Sequence, residues 1–158
     1  YFKFNEDTQN KILNDLEFLS EISSVNVIPS RRTPSEFIKN LSMLKNHNIK
    51  LFTDLFDPVT YGNLLSESNM QIVTWDSISM ISEAISSETG TFLYEFEEES
   101  CPKRYRLFHQ MVKQKGFLKN FSRNMKPYTI SMSSYNSELK SKILNKIESN
   151  LWFKNSVS

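Results

Sequence analysis

Apolar residues recur along the chain with two alternating periods, one close to 3.6 and one close to 2, and that alternation predicts its elements. Residues 5–22 read as a helix: Asn5 suits the N-cap, Glu6 and Asp7 fill the first turn, and Ile12, Leu13, Leu16, Leu19 and Ile22 share a face. Val25 to Pro29 predicts a short strand, with Ser30-Arg31-Arg32-Thr33 as the loop beyond it. Thr33-Pro34-Ser35-Glu36 has the form of a capping box with proline at the first helical position, and Phe37, Ile38, Leu41 and Leu44 line the helix that follows. Ile49 to Thr53 predicts a second strand, then Asp57-Pro58 and a short helix ending near Glu67. Gln71 to Trp75 predicts a third strand, after which Ile78, Ile81, Ala84 and Ile85 recur at helical spacing. Thr91 to Phe96 makes a fourth strand, and Pro102 opens a helix with Tyr105, Phe108, Met111 and Val112 on one side and Gly116 at its end. The stretch 117–133 reads as loop, and 135–151 as a C-terminal helix.

Strands alternating with helices at this spacing imply right-handed crossovers and a parallel sheet covered on both faces. The expected fold class is therefore α/β, a single Rossmann-like three-layer α/β/α domain over residues 1–158. A helix precedes the first strand and the chain lacks an initiating Met, so a further strand or domain is expected upstream of Tyr1. Ligands of such sheets bind outside the carboxyl ends of the strands. Ser30–Thr33, Thr53-Asp54, Asp76-Ser77 and Glu97-Glu98-Glu99 all fall at such ends, which predicts one chemically distinctive rim.

Composition narrows the chemistry. With 158 residues, 39% hydrophobic content and a formal charge of +1, the chain suits one packed domain and lacks the positive excess of a general nucleic-acid binder. One cysteine, Cys101, excludes an internal disulfide framework, and with only His47 and His109 no soft-metal constellation is expected. No apolar run approaches the ~20 residues of a membrane span, which leaves room only for peripheral membrane contact. The Asn- and Lys-rich, Gly-poor composition points to an A+T-rich genome and a bacterial cytoplasmic protein. Among five arginines, four are Arg31, Arg32, Arg104 and Arg106, and the guanidinium fork favours phosphate and carboxylate where scattered lysine mostly solvates a surface.

The segment Val73-Thr-Trp-Asp-Ser-Ile-Ser-Met-Ile-Ser-Glu-Ala84 carries the strongest signal, because an apolar strand stops at an Asp/Ser cluster that opens a helix. Either Asp76 or Ser77 can cap that helix, whose dipole makes its start electropositive. Ser77, Ser79 and Ser82 add hydroxyls, and Glu83 a carboxylate able to accept two hydrogen bonds from a sugar diol, which suits a phosphorylated, hydroxyl-rich ligand. The competing reading is a capped helix with solvated serines. Ser30, Arg31, Arg32 and Thr33 could clamp a diphosphate together with backbone amides, or form an ordinary solvated loop. Lys103, Arg104, Arg106 and His109 gather on the opening turns of one helix; anion contact fits them, and His109 could also move a proton or be structural. The acidic run from Glu95 to Glu99 reads as a solvated strand end, with Mg²⁺ binding as the sharper alternative. Neither a P-loop nor a GxGxxG is present among three glycines, so a nucleotide would need another device.

Three of these motifs occur in an order and spacing that resemble a known family. Ser-Arg-Arg-Thr-Pro at 30–34, the Val73–Ala84 segment and Arg-x-Phe-His at 106–109 look like the elongated-mitochondria family of mitochondrial-fission-type proteins, over about residues 4 to 150. The resemblance implies a C-terminal half of a two-domain protein similar to glycosyltransferases built from facing Rossmann-like domains, with the nucleotide-sugar donor bound in this half. It implies that Glu83 holds the ribose hydroxyls, that Ser77, Ser79 and Met80 surround the diphosphate, and that Arg31 and Arg32 form the anion loop. No metal and no separate cofactor is implied, and the catalytic base would come from the N-terminal half of the same protein. The Gly-rich phosphate loops frequent in such transferases are missing. Two other functions remain open on the same residues: a non-enzymatic fission-type interaction or scaffold protein, and a nucleotide-sugar epimerase.

Overall fold

The computed structural model describes residues 4–53, 57–96 and 101–132, together with Asn145. The expected helix 135–151, the Glu97–Glu99 run and Asp54 lie outside the described residues. The chain divides into two compact units, Tyr1–Leu64 and Leu65–Ser158.

In the first unit α1 (Glu6–Ile22) starts at Asn5, whose side-chain oxygen accepts the Thr8 amide at 2.8 Å. Leu19 is buried along this helix but Ile22 is exposed, because the face that buries also takes in Asp15 and Ser20. Strand β1 (Val25–Val27) pairs in parallel with β2 (Ile49–Leu51), in the register Val25 to Ile49. Between them α2 (Ser35–Ser42) buries Phe37 and Leu41. The expected capping box is not formed: Pro34 occupies the N-cap and no side chain caps α2, because the Thr33 hydroxyl is turned back to accept the Ser30 amide at 2.9 Å. Helix α3 (Pro58–Glu67) begins at Asp57, whose carboxylate accepts from the Val59 amide and the Thr60 hydroxyl. Those bonds, that of Thr60 foremost, hold the Asp57 carboxyl below its ordinary value.

The second unit is a three-stranded parallel sheet in the order β3 (Gln71–Thr74), β4 (Thr91–Tyr94), β5 (Leu118–Asn120). Strand β5 falls where the sequence pattern reads only loop. It is three residues long and only Leu118 is buried, so it carries neither a period of 2 nor an apolar run. Helix α4 (Ile78–Ser86) joins β3 to β4 and buries Ile81, Ala84 and Ile85; α5 (Lys103–Gln114) joins β4 to β5 and buries Tyr105, Phe108, His109 and Val112. Met111, expected on the apolar side of α5, is exposed, and the imidazole of His109 takes an interior position instead. Gly116 ends α5 with φ +74, a conformation that disfavours any residue with a Cβ. The Tyr128 hydroxyl donates to the Thr91 carbonyl at 2.6 Å and accepts the Thr91 amide at 3.1 Å, tying the loop after β5 to the head of β4. Five helices and parallel sheets of two and three strands make the described chain α/β, consistent with a Rossmann-like α/β/α domain.

Candidate functional site

In the second unit the carboxyl ends of β3 and β4 lead into a cavity of about 130 Å³, lined by Trp75, Glu95, Phe96, Cys101, Arg106, His109, Gln110 and Lys113. Trp75 follows β3 directly and Glu95 and Phe96 follow β4, so the residues just past two strand ends meet at one place. Cys101 lines it just before α5, and α5 itself supplies Arg106, His109, Gln110 and Lys113, spaced i, i+3, i+4 and i+7 on a single face. Trp75 meets Phe96 edge to face at 5.8 Å between ring centres. Lys113 is engaged with the Glu95 carboxylate in a 2.5 Å ion pair, which cancels charge at the rim.

His109 is only 5% exposed. Burial, helped by the nearby Lys113 ammonium, pushes its pKa down to about 4; a backbone hydrogen bond to Trp75 and the Glu95 carboxylate oppose the shift without reversing it. The ring is neutral at physiological pH and offers a phosphate no positive charge. Its Nε2 is buried and has no hydrogen-bond partner among the described residues. The same holds for Oδ1 of Asp76, one residue beyond Trp75.

Of the two expected caps of α4, Ser77 is the one used. Its hydroxyl accepts the Met80 amide at a long 3.4 Å, and it is buried. The amides of Ile78 and Ser79 occupy the first helical positions, where no intrahelical acceptor exists. Ser79 lies with its hydroxyl 3.4 Å from that of Ser77, whereas the Ser82 hydroxyl donates back to the Ile78 carbonyl at 2.7 Å. Met80 is half-buried, and Glu83 is exposed two turns into the helix. On α5, Lys103 and Arg106 are exposed, and Arg106 but not Lys103 lines the cavity.

The Ser30–Thr33 loop belongs to the first unit and closes on itself. The Ser30 amide donates to the Thr33 hydroxyl, the Arg32 amide to the Ser30 hydroxyl at 3.2 Å, and the Thr33 amide to the Ser30 carbonyl at 3.0 Å. Three amides expected to help cradle an anion are thus consumed inside the turn. What the loop presents outward is its guanidiniums, since Arg31 and Arg32 are both exposed.

The model of one protein family, described as Mitochondrial fission ELM1, matches residues 1–143. The chain belongs to that family. The match runs through both compact units and takes in all three motifs quoted above. No curated protein and no solved structure matches the chain. Among the described residues of this family member, no group of three or more His, Cys, Asp or Glu could hold a metal ion, and no helix is long and apolar enough to cross a membrane.

Trp75, Phe96, Cys101, Gln110 and Lys113 were not among the expected site residues. Gln110 and Lys113 extend the face of Arg106 and His109 by helical spacing, a signal the sequence does carry. Trp75 reads there as the last residue of a buried strand, and Cys101 as an isolated thiol.

Proposed function

We propose that this ELM1-family chain is the nucleotide-sugar-binding half of a glycosyltransferase-like protein. The observation that carries the reading is a pair of buried polar atoms, Asp76 Oδ1 and His109 Nε2, without hydrogen-bond partners among the described residues at the carboxyl end of a parallel sheet. Such atoms are costly unless something supplies the missing bond, and this is the end at which open parallel sheets take ligands. The amides at the start of α4, which have no intrahelical acceptor, and the positive end of its dipole suit a phosphate. In this reading Ser77, Ser79 and Met80 surround the diphosphate, Glu83 accepts from the ribose diol, and Asp76 accepts from a ligand hydroxyl. Arg106 and Lys103 supply positive charge from α5. Arg31 and Arg32, exposed on the first unit, are anion contacts of that unit taken by itself. Helix dipoles and guanidiniums can stabilise a leaving diphosphate without a metal.

Calorimetry of the full-length protein with UDP-, GDP-, ADP- and CMP-sugars tests this directly. Saturable binding of at least one is expected. The family's description favours a second reading, a fission-type interaction or scaffold role, and binding of a protein partner with no response to any nucleotide sugar would establish it at the expense of the first.

A further inference from the structure

We infer that the cavity beside His109 is a subsite for a neutral ring that donates a hydrogen bond, a base N–H or a sugar hydroxyl, with Nε2 of His109 as the acceptor. The inference rests on the nucleotide-sugar reading and deepens it by giving the uncharged end of that ligand its own contact.

The tautomer follows from the neighbours. The Trp75 amide is already spent on the Tyr94 carbonyl at 3.2 Å, so the backbone bond between His109 and Trp75 is an N–H of the ring donating to the Trp75 carbonyl. Nε2 has no partner among the described residues, which leaves Nδ1 as the nitrogen that donates. A neutral imidazole carries a single N–H. Nε2 is therefore a bare lone pair, nine-tenths buried, on a side chain that lines the cavity.

A lone pair in that setting selects its ligand. It repels a phosphate oxygen, which is also an acceptor, and it rewards an N–H or O–H. The walls suit an uncharged ring: Trp75 and Phe96 are aromatic, Lys113 is paired with Glu95, and the Trp75 indole and Gln110 amide can donate to a ring carbonyl or hydroxyl beside the donor that Nε2 takes. Arg106 is exposed and leaves positive charge at the mouth, where phosphates attached to the ring would emerge. The cavity offers about 130 Å³, near the ~150 Å³ of an apolar cavity that holds one benzene ring, so it takes the hydrogen-bonding edge of a ring, with the rest of the ligand outside it.

Long-range proton–nitrogen NMR of the full-length protein reads the group itself. Loss of one imidazole signal in the His109→Gln variant assigns the resonance, and the other histidine of this stretch, His47, is exposed. The expected spectrum shows His109 protonated at Nδ1, with an Nε2 resonance that moves on addition of uridine or of glucose but not of inorganic diphosphate. A response to uridine alone identifies the donor as a base N–H, and a response to glucose alone as a sugar hydroxyl. A proton on Nε2, a response to diphosphate only, or no response to any of these probes overturns the inference. The two readings fail separately: nucleotide sugars that bind without moving Nε2 preserve the donor site and sink this subsite. Uridine or glucose moving Nε2 while no nucleotide sugar binds does the reverse.

Discussion

The two parallel sheets of this chain are held by different forces. All four residues of β4 are buried, and β3 buries Gln71 and Val73 beneath α4. In β1 and β2 no residue is fully buried, and each strand runs half-buried, exposed, half-buried. The first sheet relies on polar ties at its entry. The Val25 amide donates to the Asn48 carbonyl at 2.7 Å, and the side-chain amides of Asn46 and Asn48 reach the Ser20 hydroxyl and carbonyl at 2.6 and 2.9 Å. Burying an aliphatic side chain contributes about 1.5–3 kcal/mol, while a hydrogen bond nets about 1 kcal/mol. The second unit is therefore the stiffer platform, and it is where buried polar atoms can be left without protein partners.

The largest expected effect measures that difference in packing. Leu93→Ala removes a side chain that is 1% exposed from the middle strand of the second sheet, and Leu41→Ala one that is 4% exposed from α2. Cavity formation should cost about 4–5 kcal/mol at Leu93, with β3 and β5 on either side, and about 2–3 kcal/mol at Leu41, where a single helix can settle. Urea denaturation of the two variants gives both values, and equal losses would break the comparison.

Acid should act on the second unit through His109. An unfolded imidazole takes up its proton near pH 6.5, whereas the folded one is held to about 4 by burial and by Lys113, against the pull of Glu95. Between those values the unfolded chain binds more protons, so this contribution is complete above pH 6.5 and is lost as the pH falls towards 4. The expected loss is roughly 3 kcal/mol. Denaturant midpoints at pH 7 and pH 4.5 for the protein and for His109→Gln isolate it, since the variant should lose this part of the acid sensitivity.

One substitution should change sign between the units. At Gly90 an added Cβ would lie 2.4 Å from the Tyr128 carbonyl oxygen and 2.7 Å from its ring, contacts that backbone atoms cannot relieve cheaply. Gly90→Ala should cost about 1–3 kcal/mol. Gly62, within α3, has nothing within 4 Å of the same position, and Gly62→Ala should add about 0.5–1 kcal/mol through helix propensity. Thermal melts of the pair show whether the close approach of Tyr128 to Gly90 is as firm as it looks.

How far the sequence reveals this depends on where each contact lies. Helices α1, α4 and α5 were legible because caps, spacing and stop signals are local, as with Asn5, Ser77 and Gly116. Strand β5 was not, because its three residues owe their conformation to pairing with β4 and to the Tyr128 tie, both long-range. The Thr33 cap failed for a nearby but competing reason: two hydroxyls three residues apart closed the loop instead of starting the helix. At the site, helical spacing alone makes Arg106 and His109 neighbours on α5, but the neutrality of the imidazole follows from burial beside Trp75, which no spacing encodes.

The smallest effect on stability should accompany a marked effect on binding. Glu83 is exposed on α4, on the side away from the buried Ile81, Ala84 and Ile85. Glu83→Ala should therefore change stability by no more than about 0.5 kcal/mol, and alanine's helix propensity offsets part of any loss. If its carboxylate holds a ribose diol, the same change should weaken nucleotide-sugar binding by about 1–3 kcal/mol, or roughly 5- to 150-fold. Because the two readouts are independent, calorimetry beside a thermal melt separates a ligand contact from a fold defect. Unchanged affinity would remove Glu83 from the donor site without touching Asp76 or His109, whose case rests on burial in the stiffer unit.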